Sequence, residues 1–368
     1  MYDAIVVGAR CAGSPTAMLL ARQGYRVLLL DKSSFPSDIM STHFIHPPGV
    51  DHLRRWGVLD AVRASNCPPI PKVNLHFGDL AFSPPAVNGA APYEAYCPRR
   101  TVLDKILVDA AVAAGAELRE SFSVRELATE SGCVMGVRGG IGSTPVSERA
   151  RIVIGADGMR STVARAVKAP TYREIPSATF AYYTYWSGLD LQEGEIYFGE
   201  DSGALAFPTN DGLTCIPVGG PSEGFHAFRS DIEGNYLQAL TAFPKLAERV
   251  PDGKREERFI GTADMPNFFR KPYGPGWALV GDAGYHKDFV TGLGITDAFR
   301  DAELLAQAID DGFAGRRPLE EALASYEQQR NEIATPLYEL TTSLLSGPVE
   351  LAHLAPQFVG FGLALARC

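Results

Sequence analysis

The sequence lacks an apolar run near the roughly 20 residues needed to span a bilayer, which argues against a membrane-spanning protein. Its six cysteines, at positions 11, 67, 97, 133, 215 and 368, are scattered, with no CxxC pair and no zinc spacing. They read as reduced thiols, not as a disulfide framework or metal site. Positive charge is short: 34 Lys and Arg stand against 43 Asp and Glu, a net charge of −9. That balance, with no basic run, argues against nucleic acid as a partner. No nucleophile–histidine–carboxylate triad or paired-carboxylate motif stands out. The first apolar strand starts at residue 3, leaving no room for a leader peptide, so a cytoplasmic location is expected. What remains is ordinary for a globular enzyme: 368 residues, 46% hydrophobic and 21% charged. That length buries a large core in one big domain or two intertwined ones.

The chain opens on its most informative stretch, Tyr2 to Lys32. An apolar run over residues 3–7 ends at Gly8 in the string Gly8-Ala9-Arg10-Cys11-Ala12-Gly13. A helix is expected from Gly13 to about Gln23, with Gly24 past its end, then a second apolar run from Tyr25 to Leu30 closed by Asp31. This βαβ pattern seats a dinucleotide. Gly8 allows the tight turn, Gly13 lets helix and strand approach, and the helix N-terminus faces a pyrophosphate. Asp31 stands where a ribose donates its hydroxyls. One position departs from the pattern, because Arg10 occupies the place of the middle glycine.

Further along, a loop carries His43 and His46, candidates for donor or base roles on a substrate; surface or hydrogen-bonded structural histidines are the commoner outcome. A short helix over Val50, Leu53 and Trp56 ends at Gly57. Residues 66–98 hold seven prolines and read as short strands and loops outside the nucleotide unit. Val102 to Ala114 repeat at helical spacing, and Gly115 ends that helix. A β-rich hairpin follows from Val124 to Val137, with Gly139, Gly140 and Gly142 loosening its turn. The buried strand Ile152 to Ile154 runs into Asp157-Gly158, by itself an ordinary Asp-Gly turn. From about residue 172 to 265 the chain reads as sheet, with Phe180, Tyr182, Tyr183, Tyr185 and Trp186 alternating along one strand. Tyr183 and Tyr185 join the histidines as pocket candidates. Residues 230–250 read as helical, broken near Pro244. A second decisive segment starts with a strand, Trp277 to Val280, meeting Gly281-Asp282. After it, Gly292-Leu293-Gly294-Ile295 opens a helix with Ile295, Ala298, Phe299, Ala302 and Leu305 on one side. A carboxylate followed by a glycine-opened helix can bind a polyol phosphate and aim its N-terminus at an electron-rich ring. Helices continue to Leu345, interrupted at Pro336, and an apolar, helical tail packs on the body.

Three segments together, VVGARCAG with Asp31, IGADGMRSTVAR and LVGDAGYHKDFVTGLGITDAFRDA, resemble the FAD motifs of the p-hydroxybenzoate hydroxylase-like flavoproteins. That superfamily includes aromatic hydroxylases, geranylgeranyl reductases and flavin-dependent halogenases. The resemblance covers the whole chain. It implies an α/β FAD-binding (GR2-type Rossmann-like) domain interleaved with an α+β substrate domain on an antiparallel sheet, plus C-terminal helices. The FAD domain would take residues 1–70, 98–171 and 266–335. The substrate domain would take 71–97 and 172–265, leaving 336–368 as a helical segment.

By the same resemblance, Gly8 to Gly13, including Arg10, Cys11 and Ala12, hold the FAD pyrophosphate. Asp31 with Lys32 meets the adenosine ribose, and the Val124 backbone meets adenine. Arg100 faces the FAD, Asp157 and Gly158 serve FAD and nicotinamide-nucleotide use, and Gly281 and Asp282 take the ribityl chain. Gly292, Leu293, Gly294 and Ile295 present backbone N–H groups to the flavin N1–C2=O edge, where reduction places negative charge. Two positions depart from the family: Phe289 where proline is usual, and Leu293 where Gln is frequent. The halogenase W-x-W-x-I-P motif is absent, since Trp186 stands alone in TYWSGL.

The function implied is an FAD-dependent monooxygenase of secondary metabolism. NAD(P)H would be the transient reductant, and O₂ would react to a flavin C4a-hydroperoxide that oxygenates a hydrophobic or aromatic small molecule. No metal is implied, and the protein would be a monomer or homodimer. A C=C reductase is the alternative, followed by a halogenase or a flavin-holding protein without turnover.

Overall fold

A computed structural model of the chain describes residues 1–83, 93–200 and 202–345. The expected apolar tail and part of the proline-rich stretch lie outside the described residues. Strand Tyr2–Val7 lies between Val27–Leu30 and Thr144–Gly155, parallel to both, with Ala4 opposite Val27 and Val7 opposite Gly155. All four residues of Val27–Leu30 are buried. Such an unbroken apolar run is what a parallel strand covered on both faces requires. The sheet continues through Trp277–Leu279 on one side and Glu117–Arg119 on the other.

One face packs against three helices, Gly13–Arg22, Arg100–Ala113 and Gly294–Phe313, in a core holding Val6, Met18, Leu107, Phe299 and Leu305. The opposite face, with Ile5, Leu28 and Leu30, is covered by Phe122, Val137 and Val163. Phe122 and Val137 come from strands Phe122–Glu130 and Cys133–Ile141. Here one expectation needs correcting, since Gly139 and Gly140 lie inside Cys133–Ile141, not in its turn. A Cβ at Gly139 would come 2.2 Å from Ser123 O, and one at Gly140 2.0 Å from Thr144 O. Close approach of neighbouring strands, not a bend, requires these glycines.

A second sheet has the order Lys254–Arg255, Thr179–Ser187, Thr214–Pro221, Gly203–Pro208, Gly194–Phe198, Val73–Phe77 and Leu80–Phe82, with Ile260–Thr262 beside Thr179–Ser187. Strand Thr179–Ser187 sends alternate side chains to opposite faces. Phe180, Tyr182 and Trp186 pack on an outer face covered by helices Ile232–Leu240 and Pro244–Ala247. Tyr183 and Tyr185 lie on the inner face with Cys215, Met40 and Ile260.

A third, three-stranded sheet was not foreseen. Thr171–Ile175 pairs with Asn267–Arg270, which pairs with Tyr285–His286. Its Phe269 and Tyr285 pack on Ala334 and Tyr338. Both belong to one helix, Leu319–Leu344, which contains Pro336 without a break. A proline removes one helical hydrogen bond. Here the two halves are pinned by the same buried face, Tyr326, Arg330 and Ala334 before it and Leu337, Tyr338 and Thr341 after it. The boundary expected at residue 336 therefore falls within a helix.

Candidate functional site

The three motif turns meet. Gly8 has a φ of 104°, and a Cβ there would lie 2.4 Å from Ala156 O, next to Asp157. A Cβ at Gly13 would fall 1.7 Å from Gly8 O, and one at Gly281, with φ 60°, would fall 2.7 Å from the Ala12 Cβ. Turns from residues 8–13, 156–158 and 281–283 are thus packed at distances only glycine permits. Among the described residues no side chain caps the N-terminus of helix Gly13–Arg22; Ser14 N donates to Arg10 O at 3.0 Å and Pro15 has no N–H, so the Gly13 amide is the first-turn donor left for an anion. Asp31 is buried at the end of its strand, where Oδ2 accepts from Ala9 N at 2.7 Å and Oδ1 from Ser33 N at 2.8 Å. Each oxygen retains capacity for a second donor. Lys32 is exposed, and Val124 is half-buried in strand Phe122–Glu130, whose first residue donates to Asp31 O at 2.8 Å.

Arg10 points neither to solvent nor away from the protein. Its guanidinium reaches Asp104 Oδ2 at 2.6 Å and Ser37 Oγ at 2.8 Å, and lies over the Phe35 ring. Arg100 Nε and Nη2 reach the same carboxylate at 3.0 and 3.1 Å, and the buried Cys11 thiol donates to it at 3.4 Å. Arg100 also feels the charge of Asp282, whose side chain is exposed. Asp157 serves the local structure, accepting from Ser161 Oγ and from Thr162 N at the start of helix Thr162–Ala166. Burial pushes its carboxyl up despite these donors.

On the third motif, Gly292 adopts φ 63° and Leu293 is buried as the N-cap of helix Gly294–Phe313, which no side chain caps. Ile295 is buried, whereas Gly294 is exposed and a Cβ there would meet nothing within 4 Å. Among the described residues, open space therefore fronts this N-terminus. Phe289 begins a short turn, Phe289–Thr291, which Asp288 caps by accepting from Val290 N at 3.0 Å. His46 ties down this loop: Nε2 hydrogen-bonds Thr291 O at 2.9 Å, and its backbone N–H reaches Thr296 Oγ1 at 3.2 Å. Burial lowers its pKa to about 4.

The segment through His46 also reaches the inner face of the second sheet. His43, fully buried with φ 64°, shares a 2.9 Å hydrogen bond between Nε2 and the Tyr185 hydroxyl. Burial, then the positive charge of Arg100 and Arg99, lowers its pKa to about 3, so the ring is neutral. Among the described residues, His43 Nδ1 and the Tyr183 hydroxyl have no partner of close hydrogen-bond geometry, although the Ser41 and Thr42 backbone lies near His43, and Tyr185 and the Ser41 backbone lie near Tyr183. The rings of His43, Tyr183 and Tyr185 lie within 5.4–5.8 Å of one another, edge to face. Arg99 stacks over Tyr185 at 4.5 Å and pairs with Glu257 at 2.5 Å.

Asp104, Arg99 and Glu257 did not emerge from the sequence as site residues. Only Asp104, four residues after Arg100 on one helix face, left a usable signal.

A parallel sheet with glycine turns at its strand ends, helix N-termini free of side-chain caps and an interleaved antiparallel sheet define a dinucleotide-binding oxidoreductase fold. The comparisons narrow this class. A family model described as FAD binding domain matches residues 1–217, and the chain belongs to that family of FAD-dependent oxidoreductases. It is similar to digeranylgeranylglycerophospholipid reductase 2 of Methanopyrus kandleri, 29% identical, with 80% of this chain and 73% of that one covered. The digeranylgeranylglycerophospholipid reductase of Methanosarcina acetivorans is 28% identical over 94% of this chain and 84% of that one. Among solved structures, PqsL, a probable FAD-dependent monooxygenase from Pseudomonas aeruginosa, superposes with TM-score 0.85 at 19% identity, covering 97% and 99%. The myxobacterial halogenase CndH gives 0.84 at 22%, covering 92% and 81%. At such identities the structural likeness establishes the shared fold.

Proposed function

We propose that the protein is an FAD-dependent monooxygenase that uses NAD(P)H and O₂ on a hydrophobic or aromatic small molecule bearing a polar oxygen. The carrying observation is the buried polar group on the inner sheet face. A wholly hydrocarbon substrate leaves His43 Nδ1 and the Tyr183 hydroxyl unpaired, at a cost of about 1–3 kcal/mol each. A substrate hydroxyl, which both donates and accepts, is the kind of group that would pair with them.

The residues present fit FAD: glycines 8, 13 and 281 let the three motif turns pack against one another, and the uncapped starts of helices Gly13–Arg22 and Gly294–Phe313 are where its pyrophosphate and ring edge would lie. Residues 8–13 would hold the pyrophosphate, Asp31 the ribose, Val124 the adenine, and Arg100 and Asp282 the ribityl side. The open space before Gly294 would admit the ring edge. Bound FAD supplies hydride acceptance and oxygen activation. The chain binds and orients, and its neutral His43 exchanges hydrogen bonds with substrate without carrying charge into a dry pocket.

A cleft of about 260 Å³ beside the Asp157-Gly158 turn supports a phosphate-bearing reductant. It is lined by Arg160, Arg165 and Arg270 together with Asp264 and Glu174. Arg270 stacks on Phe268 at 4.1 Å and forms no ion pair among the described residues.

The test uses purified FAD-loaded protein with NADH or NADPH and a panel of phenolic and polyketide-like aromatics. The expected result is substrate-stimulated O₂ uptake with a product heavier by one oxygen. Anaerobic turnover to a product heavier by two hydrogens, with no O₂ uptake across the panel, would establish the C=C reductase reading instead. That second reading draws on the similarity to the digeranylgeranylglycerophospholipid reductases along most of the chain.

A further inference from the structure

A dense group of buried charge sits behind the N-terminus of helix Gly294–Phe313. Lys287, Asp297, Arg300 and Asp301 are at most 8% exposed. Lys287 Nζ pairs with Asp297 Oδ2. Arg300 Nη1 reaches Asp297 Oδ1 at 2.7 Å, and its Nη2 reaches Asp301 Oδ1 at 2.6 Å. Burial pushes the Asp297 carboxyl up, but Lys287 and Arg300 outweigh it and hold the group below the ordinary carboxylate value. Asp297 is therefore an anion within the first helical turn.

That placement has an electrostatic consequence. A helix N-terminus carries roughly half a positive charge, and a full negative charge one turn behind it, away from water, more than cancels this. Lys287 and Arg300 both face Asp297, while Asp301 lies against Arg300 and feels the buried Arg330. Among the described residues, removal of Lys287 therefore leaves the Asp297 charge facing only a guanidinium that it shares with Asp301. Buried ion pairs are seldom a gain in stability over apolar packing, so stability alone gives no reason for this one. Lys287 also belongs to the chain that leads into the turn Phe289–Thr291 in front of the helix. Its Nζ lies 4.7 Å from the Tyr285 ring centroid, in the third sheet.

We propose that Lys287 balances Asp297 and so keeps this N-terminus positive toward the ring edge of the bound flavin, which sets how readily the flavin accepts electrons. This rests on the flavin placement proposed above. Lys287 acts through Asp297 and is a positioning residue.

The experiment measures the two-electron potential of the FAD-loaded protein and the affinity of its oxidised flavin for sulfite, a probe that adds negative charge to the ring. Lys287→Met is expected to bind sulfite about tenfold more weakly and to lower the potential by about 30 mV, the two-electron equivalent of tenfold. Lys287→Arg should stay near wild type, and Lys287→Met with Asp297→Asn should recover it. If Lys287→Met does not fold, Asp297→Asn alone decides: tighter sulfite binding supports the proposal, and unchanged or weaker binding overturns it. FAD-loaded Lys287→Met with wild-type potential and sulfite affinity overturns the role of Lys287 and leaves the flavoprotein reading standing. A wild-type protein that binds no FAD overturns both.

Discussion

Asp104 has no exposed surface, yet it receives Arg10, Arg100 and the Cys11 thiol. The sequence showed Arg10 where a glycine was expected but could not show its partner, 94 residues away. Asp104→Ala would leave the buried Arg100 without its counter-charge, and breaking such a pair costs about 3–5 kcal/mol. Urea unfolding should show a loss of that order; a change below about 1 kcal/mol would mean the arginines find other partners. The histidines make a second residue-scale prediction. His43 and His46 have folded pKa values of about 3 and about 4, below the ordinary 6.5. The unfolded chain thus binds more protons than the folded one as pH falls below about 6.5. Their contribution to stability is present above that pH and is lost on acidification, by about 1.4 kcal/mol per pH unit for each histidine. His46→Gln should flatten the stability–pH slope between pH 6 and 5 by one proton's worth, and an unchanged slope would contradict a neutral buried ring.

Elements were legible where one period dominated. Ile295, Ala298, Phe299, Ala302 and Leu305 read as one helical face, and all five are buried. Alternation in Thr179–Ser187 was equally clear, but which face met the helices depended on Tyr236, Leu240 and Phe243, some 50 residues away. Local signals misled where tertiary contact overrode them. Pro336 read as a break because its cost is local, whereas the buried face holding the helix together is contributed by distant strands. Gly139 and Gly140 read as turn residues because close strand approach leaves the same sequence trace as a bend. Gly294 gives an element-level test of the cofactor placement. An added Cβ there touches none of the described residues and meets no positive φ, so Gly294→Ala should leave the thermal stability of the cofactor-free protein within about 0.5 kcal/mol. It should nevertheless weaken FAD binding several-fold, because the methyl enters the space assigned to the ring edge. Unchanged FAD affinity by fluorescence titration would put the ring elsewhere.

At the scale of the whole molecule, the parallel sheet and the antiparallel sheet had to be joined by contacts that no motif records. The third sheet is one such join, and its short strands, spread from residue 171 to 286, were too brief to carry a periodic signal. Asn210 is another. It is fully buried in the turn between strands Gly203–Pro208 and Thr214–Pro221. Its Nδ2 donates to Ser65 O at 2.7 Å and to Ser65 Oγ at 3.0 Å, while its Oδ1 accepts from Arg99 N at 2.8 Å. Arg99 is the N-cap of helix Arg100–Ala113, so this one amide ties the antiparallel sheet to the helix that carries Arg100 and Asp104. It also fixes where the Arg99 side chain begins, hence the stacking on Tyr185 and the pairing with Glu257. Asn210→Ala removes all three hydrogen bonds and strands the Arg99 amide, for a loss of about 2–3 kcal/mol. Because Asn210 hydrogen-bonds to none of the glycine turns of the three motifs, FAD content should persist while substrate-dependent turnover falls, since the polar group around His43 loses its support. Parallel loss of flavin and turnover in a folded variant would contradict this, and would mean that the amide supports Arg100 and the FAD site as well as the polar group around His43.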